Sequence, residues 1–143
     1  MIPKQKKLIQ NSWALVVPMA DQAAATFYQC LFEIDPSARV LFNTTDMVQQ
    51  RKKLVQILGV AVSSLDNLGA LSKTVEDLGR RHAGYGVTDA HYDSVGVALM
   101  WTLEQGLGQS WTPEAAAAWK EVYGLLSGIM RNARPAARVK AAA

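Results

Sequence analysis

Residues 71–82 read LSKTVEDLGRRH, and their spacing decides the class of secondary structure. Apolar residues recur at intervals of three and four positions, which puts them on one side of an α-helix. That side carries Leu71, Val75, Leu78 and His82. The imidazole of His82 is therefore directed at whatever the apolar face covers. From this residue alone two interpretations are open: a hydrogen-bonded core histidine, or a histidine that binds a ligand.

The same helical periodicity recurs along the whole chain, and the alternation typical of half-buried strands is nearly absent. The predicted helical segments are about 3–18, 19–33, a single turn at 35–37, 46–65, 70–83, 88–107 and 112–132. Asp35 and Asp46 are expected to cap the segments that follow them, because an aspartate accepts hydrogen bonds from the first amides of a helix. With no internal repeat and no linker, we predict one all-α domain over residues 1–134 and a flexible C-terminal tail over 135–143.

The composition argues against several classes of function. The formal net charge is only +3 over 143 residues, and no basic stripe is interleaved with aromatic residues, so a nucleic-acid partner is not expected. No stretch approaches the roughly 20 apolar residues of a membrane span, and the N-terminus has no secretory signal pattern. Cys30 is the only cysteine, so no intrachain disulfide can form. A reducing, cytoplasmic setting is the simplest prediction.

Two polar side chains are predicted on otherwise apolar helix faces. Gln50 lies one turn before Leu54 on the same side of its helix, and apolar residues flank Tyr28 on its own helix. Burying either side chain costs free energy unless it finds a hydrogen-bond partner. Two interpretations are open here as well. Tyr28 and Gln50 either satisfy each other or a backbone carbonyl, or they line one cavity that has His82 on its opposite wall.

The order of these features resembles that of a globin over about residues 5–132. The resemblance rests on Ser12-Trp13, residues 27–32 (FYQCLF), Asp35-Pro36 followed by Phe42, Gln50-x-x-Lys53-Leu54, residues 78–82 (LGRRH), and Trp119 with Tyr123-Gly124. The most specific part is the combination of the Pro-then-Phe spacing with a histidine that follows Gln50 by 32 positions. Among globins the chain is most similar to the bacterial single-domain globins and to the haem domain of flavohaemoglobins, in which tyrosine and glutamine are the usual distal pair.

The resemblance implies an all-α globin fold, a 3-on-3 helical sandwich around a haem b, and it assigns roles to particular residues. His82 would be the proximal ligand of the haem iron, and Tyr28 and Gln50 would face the bound gas. The residues implied to contact the cofactor are Phe42, Lys53, Leu54, Leu78, Arg81, Val87, Tyr92 and Val95. Among them Phe42 would stack on the porphyrin, Lys53 and Arg81 would meet the propionates, and Tyr92 would be the family's proximal tyrosine. His91 is expected to be a surface or interhelix residue without a ligand role.

These residue types suit reversible gas binding. An imidazole ligand on one side of a haem leaves the opposite coordination position open, and glutamine is too poor an iron ligand to close it. Both the Gln50 amide and the Tyr28 hydroxyl can donate hydrogen bonds. We therefore expect tenacious O2 binding and discrimination against CO, with NO as a further gaseous partner.

The chain departs from the flavohaemoglobin pattern on the proximal side. There the family has a glutamate in the last helix, whereas extending the register places Arg134 at that position, so a strong electron push on the imidazole is not expected. The chain also carries no flavin or nicotinamide module. Nitric oxide dioxygenation would therefore need a separate reductase.

Three functions remain open at this point. The leading one is a haem protein that binds O2, for transport, storage, scavenging or sensing. The second is a nitric oxide dioxygenase that detoxifies NO with a partner reductase, and the third is a haem-free helical regulatory module. We lean against an enzyme. A zinc site is not expected, because the only two histidines, His82 and His91, lack the spacing of one helical turn.

Overall fold

The bounds of the observed helices lie close to those of the segments predicted from the periodicity of the sequence. A computed structural model describes residues 1–133, and the predicted tail and Arg134 lie outside that range. Within it the α-helices are α1 (Pro3–Val16), α2 (Ala20–Ile34), α3 (Pro36–Val40), α4 (Met47–Ser63), α5 (Leu68–Gly84), α6 (Asp89–Leu107) and α7 (Pro113–Asn132). Short 3₁₀ turns occupy Val17–Met19, Leu65–Asn67 and Gly108–Ser110. Residues 1–133 contain no strand, so the prediction of an all-α chain is correct for them.

Local capping explains where the long helices begin. The Asp46 carboxylate accepts hydrogen bonds from the backbone amides of Val48 and Gln49 at the start of α4, as predicted. The hydroxyl oxygens of Thr88 and Thr112 accept in the same way at the starts of α6 and α7. Each of these contacts satisfies a first-turn amide that has no partner inside its own helix.

The predicted cap at Asp35 is correct in position but not in its bonding. Asp35 is the N-cap residue of α3, but its side chain makes no capping bond to the helix. The carboxylate instead accepts hydrogen bonds from the hydroxyls of Ser37, at 2.5 Å, and Ser94, at 2.8 Å. Because Ser37 belongs to α3 and Ser94 to α6, the Asp35 side chain links these two helices.

The turn after α5 depends on a glycine. Gly86 has φ +90°, a left-handed conformation that is accessible to glycine at little cost. It brings the Val87 amide back to the carbonyl of His82, at 3.1 Å. The end of the helix that carries His82 is thereby hydrogen-bonded before the chain enters α6.

Packing places α2 on α6, α5 on α7, and α1 on α7. The largest side chains with almost no exposure are Ile9, Leu31 and Trp119. The indole nitrogen of Trp119 donates to the Ser12 hydroxyl at 2.9 Å, so the polar atom of this core residue is satisfied. The core therefore fixes α1, α2, α6 and α7 relative to one another.

The crossing of α5 and α7 depends on the absence of a side chain at Gly79. A Cβ atom built there would lie 2.5 Å from the carbonyl oxygen of Met130 and 2.6 Å from its Cα atom. Real atoms do not approach so closely, so only glycine allows α7 to pass here. Gly79 lies one turn before His82, so this contact determines how closely the helix that carries the histidine packs against α7.

No single helix within residues 1–133 is long and apolar enough to cross a membrane. The segments Met47–Ser63 and Leu65–Gly84 are together long and apolar enough, by length and composition only, but their axes bend by 64° at the break between them.

Candidate functional site

His82 is held as a neutral imidazole on the last turns of α5. Its Nδ1 atom lies 2.8 Å from the carbonyl oxygen of Leu78. A carbonyl only accepts, so Nδ1 carries the hydrogen and Nε2 keeps its lone pair. Burial lowers the pKa of His82, and the nearby Arg81 charge lowers it further, while the bond to Leu78 acts in the opposite direction. A neutral ring oriented by a carbonyl is the form that binds a metal ion.

Two aromatic rings flank this imidazole. The Tyr92 ring, from α6, lies 6.3 Å from it between centroids, with an angle of 20° between the planes. The Tyr85 ring lies at the same centroid distance with a tilt of 52°. The orientation of His82 is therefore defined by one hydrogen bond and two ring contacts.

Two residues of α7, Tyr123 and Arg131, contact Tyr92. The Tyr123 hydroxyl donates to the Tyr92 carbonyl oxygen at 2.5 Å. The guanidinium carbon of Arg131 lies 5.1 Å from the centroid of the Tyr92 ring, which is cation–π distance. Arg131 also pairs with Asp93, at 2.8 Å, and with Asp89, at 3.6 Å.

Arg131 was not predicted from the sequence, from which Arg134 was expected to be the cation on this side of the site. The placement of Arg134 lies outside the described residues. The acidic residues Asp89 and Asp93, one turn apart near the start of α6, were the signal that could have pointed to a basic partner in the last helix.

Tyr28 and Gln50, predicted to lie on facing helices, are in direct contact. The Gln50 Nε2 atom, on α4, donates to the Tyr28 hydroxyl oxygen, on α2, at 3.1 Å. Burial raises the pKa of Tyr28, and the hydrogen bond from Gln50 lowers it in part. The phenol therefore stays protonated. Because Gln50 donates to its oxygen, the phenolic hydrogen remains to be donated elsewhere.

An aromatic cluster surrounds the Tyr28 ring. Phe27 meets it edge-on at 4.9 Å between centroids, Phe42 lies at 5.4 Å, and Phe32 lies at 5.9 Å. Phe42 comes from the segment after α3, so the structure does bring this predicted residue next to Tyr28. Leu54 and Val95 pack against the same hydrophobic core.

The remaining predicted contact residues fall into two groups by exposure. Leu54, Leu78, Val87 and Val95 are half-buried apolar side chains. Lys53 and Arg81 are exposed. The apolar side chains can contact an apolar ligand, and the exposed cations can pair with carboxylates. The first three turns of α4 carry no buried residue; its buried residues are Ala61 and Val62, near the end.

His91 is an interhelix residue, and the surface alternative is wrong, since only 8% of it is exposed. Its Nδ1 atom accepts from the Thr88 amide at 3.0 Å. Its Nε2 atom then carries the hydrogen and donates to the Ser37 hydroxyl oxygen at 2.9 Å. Both nitrogens are thus used within the protein, whereas at His82 only Nδ1 has a hydrogen-bond partner among residues 1–133.

The globin family model matches residues 25–130 of the chain. The chain belongs to the globin family. It is 29% identical over 140 residues to the neuroglobins of Chaenocephalus aceratus and Dissostichus mawsoni, covering 89% of this chain and 88% of each relative. The neuroglobin of Danio rerio is 27% identical over the same length and the same shares. These comparisons confirm the predicted globin fold, whereas the closer resemblance to bacterial globins and flavohaemoglobins stays a prediction.

The side chains of this globin fit the haem that globins bind. Among residues 1–133 no group of three or more His, Cys, Asp or Glu side chains is placed to hold a metal ion. Haem brings iron ligands of its own in the porphyrin nitrogens, so it would need only an axial ligand such as His82 from the protein. The Nε2 lone pair of His82, the half-buried apolar side chains and the exposed cations match the three chemical parts of haem: iron, ring and carboxylates.

Proposed function

We propose that this globin holds haem b through His82 and binds O2 reversibly, with Tyr28 as the direct hydrogen-bond donor to the gas. The observation that carries the proposal is the bond from Gln50 to the Tyr28 oxygen, at 3.1 Å. It leaves a protonated, buried phenol with a hydrogen to donate. When bound, haem supplies an iron atom with an open coordination position that accepts O2, NO or CO.

In this proposal the protein holds the haem by three kinds of contact. The Nε2 lone pair of His82 would bind the iron, while the Leu78 carbonyl orients the imidazole through Nδ1. The exposed Lys53 and Arg81 would pair with the propionates. Phe42, Leu54, Leu78, Val87 and Val95 would contact the apolar porphyrin, and Tyr92 would support His82.

Tyr28 provides selectivity among gases. O2 draws negative charge when it binds, whereas CO draws less, so a fixed donor favours O2. Such a hydrogen bond is worth about 1.5–3 kcal/mol when its acceptor is effectively charged. At about 1.4 kcal/mol per tenfold, this slows O2 release by about ten- to a hundredfold. A slow release suits scavenging, storage or sensing better than rapid delivery.

Gln50 acts chiefly through Tyr28 in this arrangement. The sequence alone left two possibilities open, that both residues donate to the gas or that they satisfy each other. The observed contact makes Gln50 a donor to the tyrosine, and in this proposal the tyrosine is the donor to the ligand. A glutamine also leaves the distal side without a strong iron ligand, which fits a five-coordinate iron before O2 arrives.

The decisive experiment is haemin titration of the purified apoprotein, followed by visible spectra of the ferric, ferrous and O2-exposed protein. We expect uptake of one haemin, a Soret band and a stable O2 complex. His82→Gly should lose the ferrous spectrum of an imidazole-ligated haem and recover it when free imidazole is added. A colourless protein that does not take up haemin would overturn the proposal.

The same preparation separates O2 binding from the alternative, nitric oxide dioxygenation with a separate reductase. NO is added to the O2-loaded protein with an external reductant. Nitrate that accumulates over many turnovers would favour the alternative, and a single turnover favours the gas-binding function. The cytoplasmic location predicted from the single cysteine stays a prediction.

A further inference from the structure

The last turn of α7 contacts both helices that define the surroundings of His82. The Met130 backbone lies against Gly79 of α5, where no Cβ atom fits. The next residue, Arg131, reaches α6, where it lies over the Tyr92 ring and pairs with two aspartates. Two adjacent residues of one helix thus fix the helix that bears the histidine and the ring that flanks it.

We propose that Arg131 is a positioning residue for His82, acting through Tyr92; the consequence for iron binding rests on the function proposed above. The chain of contacts has three steps. Asp89 and Asp93 hold the guanidinium, the guanidinium covers the Tyr92 ring at 5.1 Å, and that ring lies nearly parallel to the imidazole at 6.3 Å.

The role of Arg131 is geometric rather than electrostatic. Its positive charge is paired with the carboxylates of Asp89 and Asp93, so little of it remains to act on His82. Burial of the guanidinium is partial, and the bond to Asp93 raises the pKa of Arg131 further, so the group stays charged. Its planar shape lets it bond to carboxylates at its edge while one face covers an aromatic ring, and a lysine ammonium cannot do both.

Tyr123 completes the support of Tyr92. Its hydroxyl donates to the Tyr92 carbonyl oxygen at 2.5 Å, which fixes the backbone while Arg131 fixes the ring. Without the guanidinium, the Tyr92 ring loses one of the contacts that set its angle to the imidazole. The contact between the ring and the imidazole is then less well defined, and the orientation of His82 is less restricted.

The test compares Arg131→Lys and Arg131→Gln with the parent chain. The first variant keeps the charge and loses the planar fork, and the second loses both. Lys6→Gln is the matched control, because it removes the ion pair with Asp66, at 3.3 Å, from a part of the protein remote from these contacts. Circular dichroism and thermal melting verify that each variant is folded.

The first readout uses the apoprotein and does not depend on haem. The chain has only two histidines, so each imidazole C–H signal can be assigned by proton NMR. We expect the His82 signals to shift or broaden in both Arg131 variants, with a smaller change at His91 and none in Lys6→Gln. Unchanged His82 signals in both variants would overturn the proposal, and a change in Arg131→Gln alone would show an electrostatic role instead.

The second readout is the iron–histidine Raman band of the ferrous, haem-loaded protein. A looser imidazole should broaden or shift this band in both Arg131 variants. If the His82 NMR signals change but no variant or parent takes up haemin, the positioning role stands and the proposed function fails. If haemin binds and neither readout changes, the proposed function stands and the positioning role fails.

Discussion

The amide of Gln50 donates a hydrogen bond to the hydroxyl oxygen of Tyr28 at 3.1 Å, across the contact between α4 and α2. This direction of donation orders the two residues. The glutamine orients the phenol, and the phenol has the free hydrogen. The arrangement satisfies both polar side chains in the protein alone, which is the simpler of the two interpretations open from the sequence. The other interpretation, in which the two residues line a cavity that has His82 on its opposite wall, stays a prediction.

Replacing Tyr28 with phenylalanine should speed O2 release. The variant keeps the aromatic contacts with Phe27 and Phe42 and removes the hydroxyl, which is both the donor to the gas and the acceptor of the bond from Gln50. Loss of one hydrogen bond of about 1.5–3 kcal/mol predicts a rise in the O2 dissociation rate of about ten- to a hundredfold. CO dissociation should change much less. Stopped-flow mixing measures both rates.

Tyr85→Phe is the control for this prediction. It also removes a phenolic hydroxyl, but from a side chain that is 67% exposed, and it keeps the ring beside His82. Its O2 dissociation rate should equal that of the parent. Equal rates for Tyr28→Phe and Tyr85→Phe would contradict a hydrogen bond from Tyr28 to the gas.

Replacing Gln50 with leucine tests whether the glutamine acts through the tyrosine. We expect Gln50→Leu to speed O2 release less than Tyr28→Phe does, because the phenol loses its orientation but keeps its hydrogen. The double variant should then release O2 no faster than Tyr28→Phe alone, since residues in one hydrogen-bond chain are not additive. Effects that multiply in the double variant would instead show two independent donors.

The helices could be predicted from the sequence because their signals are local. The apolar spacing of residues 71–82 and the capping Asp46 depend only on nearby residues, so the predicted bounds of α4 and α5 fall within about two residues of those observed. Asp35 also looks like a local cap, but its partner Ser94 comes from α6. A contact between distant segments cannot be deduced from the periodicity of either one.

For the same reason, the contacts on one side of the site could be predicted from the sequence and those on the other side could not. The contact between Tyr28 and Gln50 could be expected, because each is a polar residue on an apolar face and needs a partner. Arg131 is a basic residue at the end of a helix, where a cation is common for a local reason, its interaction with the helix dipole. Its location over the Tyr92 ring depends on the position of α7 along the axis of α6. That position is set by packing contacts such as the one at Gly79.

Adding a methyl group at Gly79 should destabilise the protein and displace α5. The new Cβ atom would lie 2.5 Å from the carbonyl oxygen of Met130, so one of the two helices must move. Overpacking of this kind costs about 1–3 kcal/mol, more than the roughly 1 kcal/mol that alanine gains over glycine in a helix. We expect Gly79→Ala to lower the free energy of unfolding by up to about 2 kcal/mol in urea titrations of the apoprotein.

Gly124→Ala is the matched control for the methyl group. Gly124 lies inside α7, and a Cβ atom there would have no neighbour within 4 Å. This variant should gain stability, by up to about 1 kcal/mol, because only helix propensity changes. A Gly79→Ala protein that is as stable as Gly124→Ala would show that α5 and α7 do not approach as closely as the structure places them.

The link from Asp35 to Ser94 should make the free energy of unfolding depend on pH in the acidic range. The hydrogen bonds from Ser37 and Ser94 lower the pKa of Asp35 below its ordinary value of 3.8. The unfolded chain therefore binds a proton at a higher pH than the folded chain does, so the stabilisation is fully present above 3.8 and is lost as the pH falls through the lower, folded value. The test uses Asp35→Asn, in which the side chain keeps its shape and loses its charge.

The parent should be more stable than this variant at neutral pH, and urea titrations at decreasing pH should show the difference in unfolding free energy shrinking below pH 3.8. A difference that stays constant or grows on acidification would mean that the Asp35 charge does not hold α3 to α6.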